Sequence, residues 1–382
     1  MLAGHYRVSV VTGQARRRWA AVLGGVLLLC ALPTLDSALP VTAPRVSPAT
    51  LRTHILASAN RPFEGYAESN ASFGLPPLNG FTDLTSLLDG VTRMRVWQAA
   101  PDRWRVDVLS DVGERDTYQT PRFSYIWDSQ SELLTKVIGK YPVRLPRPAD
   151  LVPPSLALRL IREAGRGARF SPLGARRVAG QAAVGLRIEP SDPVSTVARI
   201  DLWVLPGSWL PVEVLVYGRG SARPQLESQF LQVSTAKPPA AALIPQHGPG
   251  TGFTQTDAAD LSGALGNLGP ALLPPALAGR SRAAAPIGFG DIGVYGHGLA
   301  TFAVLEISGS TGLQLIKGAR SDGGKVLKVP HSTGVVVGTP LITAVLLHPN
   351  VALGTYILAG LVDRAVLTKA AEQLASKSWW QP

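Results

Sequence analysis

Through the middle of the chain, apolar and polar residues alternate one by one. Trp104, Val106 and Val108 alternate with Arg103, Arg105 and Asp107. Phe123, Tyr125 and Trp127 alternate with Arg122, Ser124 and Asp128, and Val212, Val214 and Val216 with Glu213 and, less cleanly, Leu215. A period of two puts every second side chain on one face of a strand, so these runs predict antiparallel strands with one apolar face. The pattern extends from Phe63 to about Val233, with turn residues at Ala100-Pro101-Asp102 and Pro206-Gly207-Ser208. Helical spacing appears twice around it. Ser47-Pro48 opens a helix to about Ala59, Ser capping free N–H groups and Pro fitting the first turn, with Leu51, Ile55 and Ser58 on one side. The second helix runs from Leu151 to Ala164, with Leu156, Leu160 and Ile161 together.

Beyond the strands, residues 236–284 are rich in Ala, Gly and Pro and read as a linker with one short helix from Asp257. Residues 285–382 read as a small α+β module. Its strands fall near Val294–Ile307, Gly334–Leu347 and Thr355–Leu361, and a closing helix starts at Asp363 with Val366, Leu367, Ala370 and Leu374 on its apolar side. The expected body is therefore α+β: a curved antiparallel sheet with covering helices over 47–235, the linker, and the module.

The start of the chain follows a different rule. Residues 1–18 carry four arginines and no acid, and the 17 residues from Trp19 to Leu35 carry no charge. A basic stretch followed by an apolar one is the export pattern, with the arginines retained in the cytoplasm. We read 1–18 as a cytoplasmic basic segment, 19–38 as a signal anchor or signal peptide, and 39–46 as a Pro-rich tether. Asp36-Ser37-Ala38 puts an acid where a cleavage site wants a small residue, and Pro44 follows Val41-Thr42-Ala43, so a retained anchor is the favoured form. This predicts a cell-membrane protein with a single N-terminal helix in the membrane and its body outside the cytoplasm.

Composition narrows the chemistry. Hydrophobic residues make up 46% and charged residues 16%, enough apolar material for a large core. Net charge is +11, of which the four N-terminal arginines supply +4, and the rest has no dense run; with export this argues against nucleic acid as a partner. Cys30, the only cysteine, rules out an internal disulfide and a cysteine zinc site. Leu29 before it is too large for a lipid-attachment motif. The six histidines (5, 54, 247, 297, 331 and 348) show no metal-ligand spacing, and no acidic residues are spaced as an acid–base pair. There is no Gly-x-Ser-x-Gly elbow. Gly288-Phe289-Gly290-Asp291-Ile292-Gly293 fits a dinucleotide pattern literally but lacks a strand before it and a helix at it, so it reads as a loop. No enzyme activity, cofactor or metal is expected.

Several short stretches carry a resemblance. Pro62-Phe63-Glu64-Gly65-Tyr66-Ala67-Glu68 follows the capped helix, and Arg95 to Val106 includes Val96-Trp97-Gln98-Ala99-Ala100-Pro101-Asp102-Arg103-Trp104. Arg177-Val178-Ala179-Gly180-Gln181-Ala182-Ala183, with Leu186 and Pro190 downstream, precedes Asp201-Leu202-Trp203-Val204 and Leu210-Pro211-Val212. Over roughly Ser47 to Ser234 the chain resembles the LolA/LolB-like lipoprotein-carrier superfamily, most of all its MucB/RseB-like regulators of envelope-stress sigma factors and their actinobacterial relatives. The resemblance implies an incomplete β-barrel with helices over its mouth and an apolar cavity for an acyl chain, lipid or lipoprotein. It also implies, as the alternative role, binding to a membrane anti-sigma factor. Trp104, Val106, Val108, Phe123, Tyr125 and Trp127 are the candidates for the ligand-facing apolar surface of such a sensor or carrier.

Overall fold

A computed structural model describes residues 18–23, 41–74, 86–139, 146–165, 167–245, 248, 250–258, 273–284, 292–350 and 354–376. Residues 18–23 are helical, with Trp19, Val22 and Leu23 exposed. A membrane helix needs about 20 apolar residues. Among the described residues no helix is long and apolar enough to cross a membrane. This overturns the signal anchor expected at 19–38, and with it the membrane attachment and the single-anchor cell-membrane localisation. The rest of that segment, the Gly288–Gly293 loop apart from its last two residues, and the short helix expected beyond Asp257 lie outside the described residues.

The body, residues 43–382, is one unit built on a twelve-stranded sheet and a six-stranded one. Helix α1 (Pro48–Ala57) starts at Ser47, whose Oγ accepts from the Thr50 N–H, and buries Leu51 and Ile55. The large sheet takes β1 (Phe63–Ser72), β2 (Asp89–Ala100), β3 (Arg103–Ser110), β4 (Gly113–Gln119), β5 (Ser124–Asp128), β6 (Leu133–Ile138), β7 (Arg169–Val178), β8 (Gln181–Glu189), β9 (Val197–Val204), β10 (Pro211–Gly218), β11 (Leu226–Ser234) and β12 (Gly252–Asp257). Between β6 and β7 lie α2 (Pro148–Leu151) and α3 (Pro153–Glu163), separated by extended Val152. Two consecutive prolines at the start of α3 split what the spacing alone presents as one helix. A small hairpin, β13 (Ala276–Leu277) and β14 (Arg280–Ser281), leads to the second sheet: β15 (Ile292–His297), β16 (Ala300–Ser308), β17 (Lys325–Leu327), β18 (Ser332–Gly338), β19 (Thr343–Pro349) and β20 (Gly354–Gly360). Helix α4 (Gly309–Ser321) follows β16, and α5 (Arg364–Ala375) closes the chain from its Asp363 cap.

The large sheet runs in the order β12-β6-β5-β4-β3-β2-β1-β11-β10-β9-β8-β7. It is an α+β sheet, but it is neither curled nor closed into a barrel, and the incomplete barrel expected from the sequence is overturned. Closure needs the two edge strands to approach in register. Here β7 carries Pro172, which has no N–H to donate, and its ladder to β8 slips between Leu173 and Arg176. At the other edge β12 adds parallel to β6, Gly252 opposite Leu133 through Asp257 opposite Ile138, so the sheet is mixed rather than antiparallel.

Register assigns the faces. On one face stand Leu186, Leu202, Val214 and Ser228, directly opposite one another across β8 to β11. Helices α1 and α3 cover this part, and Ser228 Oγ donates to the Leu151 carbonyl. We call this the inner face. It continues through Ala67 and Met94 to Val96, Val106, Thr117 and Ile126. The outer face is lined by charge and arene pairs. Arg187 makes a bidentate pair with Asp201 (2.7 Å for both bonds), and Arg176 lies over Trp203 and meets Glu213 at 2.9 Å.

The small sheet is docked through the β8–β9 connection. Ser195 Oγ donates to the Leu299 carbonyl (2.6 Å), Thr196 Oγ1 to the Leu341 carbonyl (2.5 Å), and Arg280 pairs with Asp192 at 2.9 Å. Gly218 and Gly298 permit the approach: a Cβ at the first would strike the Pro340 carbonyl, and at the second the Glu163 carbonyl.

Candidate functional site

The inner face is covered unevenly. Over β8 to β11 the helices leave no room, but over β2 to β6 they stand off, and a cavity of about 1,210 Å³ lies between sheet and helix ends. Its floor is Val96, Trp104, Val106, Val108, Thr117 and Ile126. Phe63 and Leu87 border one end; Arg147, Pro148, Val152 and Ser155 border the helical side, and Thr256 and Asp257 of β12 also line it. The floor is apolar because these are the inward positions of the alternation. The rim is charged, with Asp102, Arg115, Asp128, Arg147 and Asp150. The Arg147 guanidinium lies 6.0 Å from the Trp104 ring, and its backbone N–H donates to Asp150 at 2.8 Å.

The six candidate residues divide between the two faces. Trp104, Val106 and Val108 lie on the cavity floor. Phe123, Tyr125 and Trp127 do not. The register places Ser124 opposite Gln119 and Ile126 opposite Thr117, so Ile126 points inward and its neighbours outward. Lys136 Nζ sits 3.9 Å from the centre of the Phe123 ring, Tyr125 is opposite Tyr118, and Trp127 is opposite Asp116. An aromatic triplet at alternate positions reports a common face but not which one.

The sequence reading missed a second constellation, on the outer face directly behind the cavity. Arg105 is held between the rings of Trp97 and Tyr118, at 4.9 and 4.8 Å. Its Nε meets Asp107 at 2.5 Å and its Nη2 meets Asp116 at 2.8 Å, with Glu114 at 3.7 Å. Burial holds the carboxyls of Asp107 and Asp116 above the usual carboxylate range, against the pull of Arg105. The same desolvation pushes the Tyr118 phenol up. Two strands of one hairpin bring these acids together: Asp107 pairs with Asp116 and Leu109 with Glu114. Their signal in the sequence is Arg105-x-Asp107 and Glu114-x-Asp116 on either side of the turn at Asp111-Val112, with the two aspartates equidistant from it. Among the described residues no nucleophile–base arrangement accompanies either site.

No family model and no curated protein matches the chain. Among solved structures, MucB in complex with MucA(peri) is similar at 16% identity, covering 85% of this chain and 97% of that one with a TM-score of 0.46. The MucA/MucB complex of Pseudomonas aeruginosa is similar at 17% identity, with 85% and 97% covered and a TM-score of 0.46. MucB alone is similar at 17% identity, covering 86% and 98%, with a TM-score of 0.41.

Proposed function

We propose that this chain is a non-catalytic extracytoplasmic regulatory protein that binds a partner protein, and that the partner inserts a segment into the cavity over β2 to β6. The anti-sigma factor of an envelope-stress pathway is the partner class implied by the motif resemblance. MucB, to which the chain is similar, has been solved with MucA(peri) bound. The observation that carries the reading is the shape of the cavity. At about 1,210 Å³ it exceeds the range of roughly 300–1,000 Å³ common for small-molecule pockets, and it lies on an open sheet with a charged rim. An apolar floor with a polar rim is what a partner's side chains need to bury anchors while satisfying backbone groups at the edge.

The test is binding of the purified chain to the extracytoplasmic region of the anti-sigma factor from the same genome. Val106→Glu puts a charge on the floor and is expected to abolish binding, whereas a charge at exposed Val326 is expected to leave it intact. A folded wild-type chain that fails to bind would sink this reading. The aliphatic and aromatic floor also favours a second one, an acyl chain of a lipid or lipoprotein as the occupant. Native mass spectrometry of protein purified from a membrane extract separates the two: co-purifying lipid lost in Val106→Glu supports the second, and lipid-free protein that still binds the partner supports the first.

A further inference from the structure

One strand of the large sheet is held there by its backbone alone. Strand β12 runs parallel beside β6, whereas every other described pair in that sheet is antiparallel. All six of its residues are exposed, Phe253 to 59%. Among the described residues from Ile244 to Ala258 none is buried, so buried Leu243 is the last side-chain anchor before the strand. What remains is the ladder. The Gly252 N–H donates to the Glu132 carbonyl at 2.9 Å and the Ala258 N–H to the Ile138 carbonyl at 2.7 Å. Alternate residues face the neighbour in a parallel ladder, so Thr254 and Thr256 between them aim their N–H groups at the same edge. Parallel pairing is slightly weaker per residue than antiparallel, and here no apolar burial adds to it.

The strand also stands where the cavity ends. Thr256, Asp257 and Ala258 line the cavity, as does Val137 of β6. Side-by-side residues of parallel strands share a face. Gly252, Thr254 and Thr256 therefore stand on the inner face beside Leu133, Thr135 and Val137, and Phe253 stands on the outer face beside buried Leu134. We propose that the edge of β6 is the docking edge for the partner's segment, and that β12 occupies it in cis until the partner replaces it. This rests on the partner-binding reading above and specifies how the segment is held. The occupant is an extended stretch of the partner that adds to β6 as a strand and takes over its carbonyls and N–H groups. The register sets its chemistry: apolar side chains at the alternate positions now held by Thr254 and Thr256, where they reach the end of the apolar floor. The backbone bonds are exchanged one for one, so the added apolar burial decides the competition. In the unbound chain β12 keeps the edge from pairing with other chains.

The test locks the strand in place. Thr135 and Thr254 are register partners on adjacent strands, which lie about 4.8 Å apart, within the span of a disulfide. Thr135→Cys with Thr254→Cys is made in the full chain carrying Cys30→Ser. Binding of the extracytoplasmic region of the anti-sigma factor from the same genome is measured before and after reduction. The oxidised protein is expected to bind about tenfold more weakly or worse, and the reduced protein to bind as the unmodified chain does. Oxidised protein that binds as tightly as the reduced form overturns the strand exchange and leaves the partner-binding reading standing. An unmodified chain that fails to bind overturns both. Thr254→Pro works in the opposite direction, because it deletes a ladder donor without touching a buried side chain. It is expected to release β12, leave the melting temperature unchanged and tighten binding; unchanged or weaker binding overturns the competition. Hydrogen exchange of the complex is the second readout: β12 amides are expected to lose protection while β6 amides keep theirs, and β12 amides that stay protected in the complex overturn the exchange.

Discussion

The inner face of the large sheet consists of two halves with the same sequence grammar and different surroundings. Across β8 to β11, Leu186, Leu202 and Val214 are fully buried beneath α1 and α3. Across β2 to β5, Val106 is equally removed from water, yet Trp104, Val108 and Ile126 are only half-buried and border the cavity. Alternation sorts side chains between faces; what covers a face is decided by helices distant in sequence. The difference separates stability from binding: the covered half holds the fold, and the uncovered half has apolar surface left for a partner.

The largest expected effect tests that division directly. Leu202→Ala removes a fully buried side chain from beneath the helices and leaves a closed void, so its cost is about 2–5 kcal/mol. Val106→Ala enlarges a space that already exists. Only the transfer term is lost, about 1.5 kcal/mol for the two carbons removed. Urea unfolding of both variants checks the comparison, and equal losses would show that the two halves are packed alike.

The second prediction concerns the outer face of the covered half. Glu213 is buried beside Arg176, and burial pushes its carboxyl up to about 7 from the ordinary 4.5. The unfolded chain releases this proton near pH 4.5, whereas the folded chain keeps it to about pH 7. Folded stability therefore falls as pH rises through that window and is level on either side. The fall amounts to about 3 kcal/mol for a shift of this size. Glu213→Gln is expected to flatten the profile and to be the more stable protein above pH 7. Melting temperatures from pH 4 to 8 measure this, and a wild-type profile that rises through the window would reverse the assignment.

These contrasts also mark how far the sequence could be read. The capped start of α1, the closing helix at Asp363 and the strand alternation are local, so they were legible residue by residue. Helix α4 was not, because Gly312 and Gly318 break its pattern; Gly312 is needed there, since a Cβ would collide with Thr355. Strand β12 escaped because all six of its residues are exposed, so its register shows no buried face. The open edges are equally non-local: no pattern within β7 or β12 states that the two fail to meet. The carboxylate cluster depends on hairpin register, which places Asp107 opposite Asp116 only once the turn is known. Which face Phe123, Tyr125 and Trp127 take is likewise set by register, since a shift of one residue moves every side chain across the sheet.

Trp104 tests the uncovered half from within. Its ring is partly buried on the floor near Arg147, so Trp104→Ala is expected to cost about 2 kcal/mol of stability, less than the roughly 3–5 kcal/mol of a fully buried ring. Unlike a substitution in the covered half, it should also weaken the cavity's hold on its occupant. Binding of a fluorescent acyl probe or of the anti-sigma segment should weaken about tenfold, the equivalent of 1.4 kcal/mol. A stability loss with unchanged binding would return Trp104 to an ordinary core role.

The smallest effect sharpens the comparison most. Phe123→Leu changes an aromatic residue adjacent in pattern to the floor but placed on the other face beneath Lys136. It loses one cation–π contact near solvent and part of its apolar area, about 0.5–1 kcal/mol. Because no Phe123 atom lines the cavity, occupant binding should be unchanged. Measured beside Trp104→Ala with the same probe, it separates face from composition: both are aromatic and half-buried, and they differ in the side of the sheet they occupy. If Phe123→Leu weakens binding as much as Trp104→Ala does, the occupant is not seated on the floor formed by Val96, Val106 and Ile126, and the register argument that divides the two faces fails for function even where it holds for the fold.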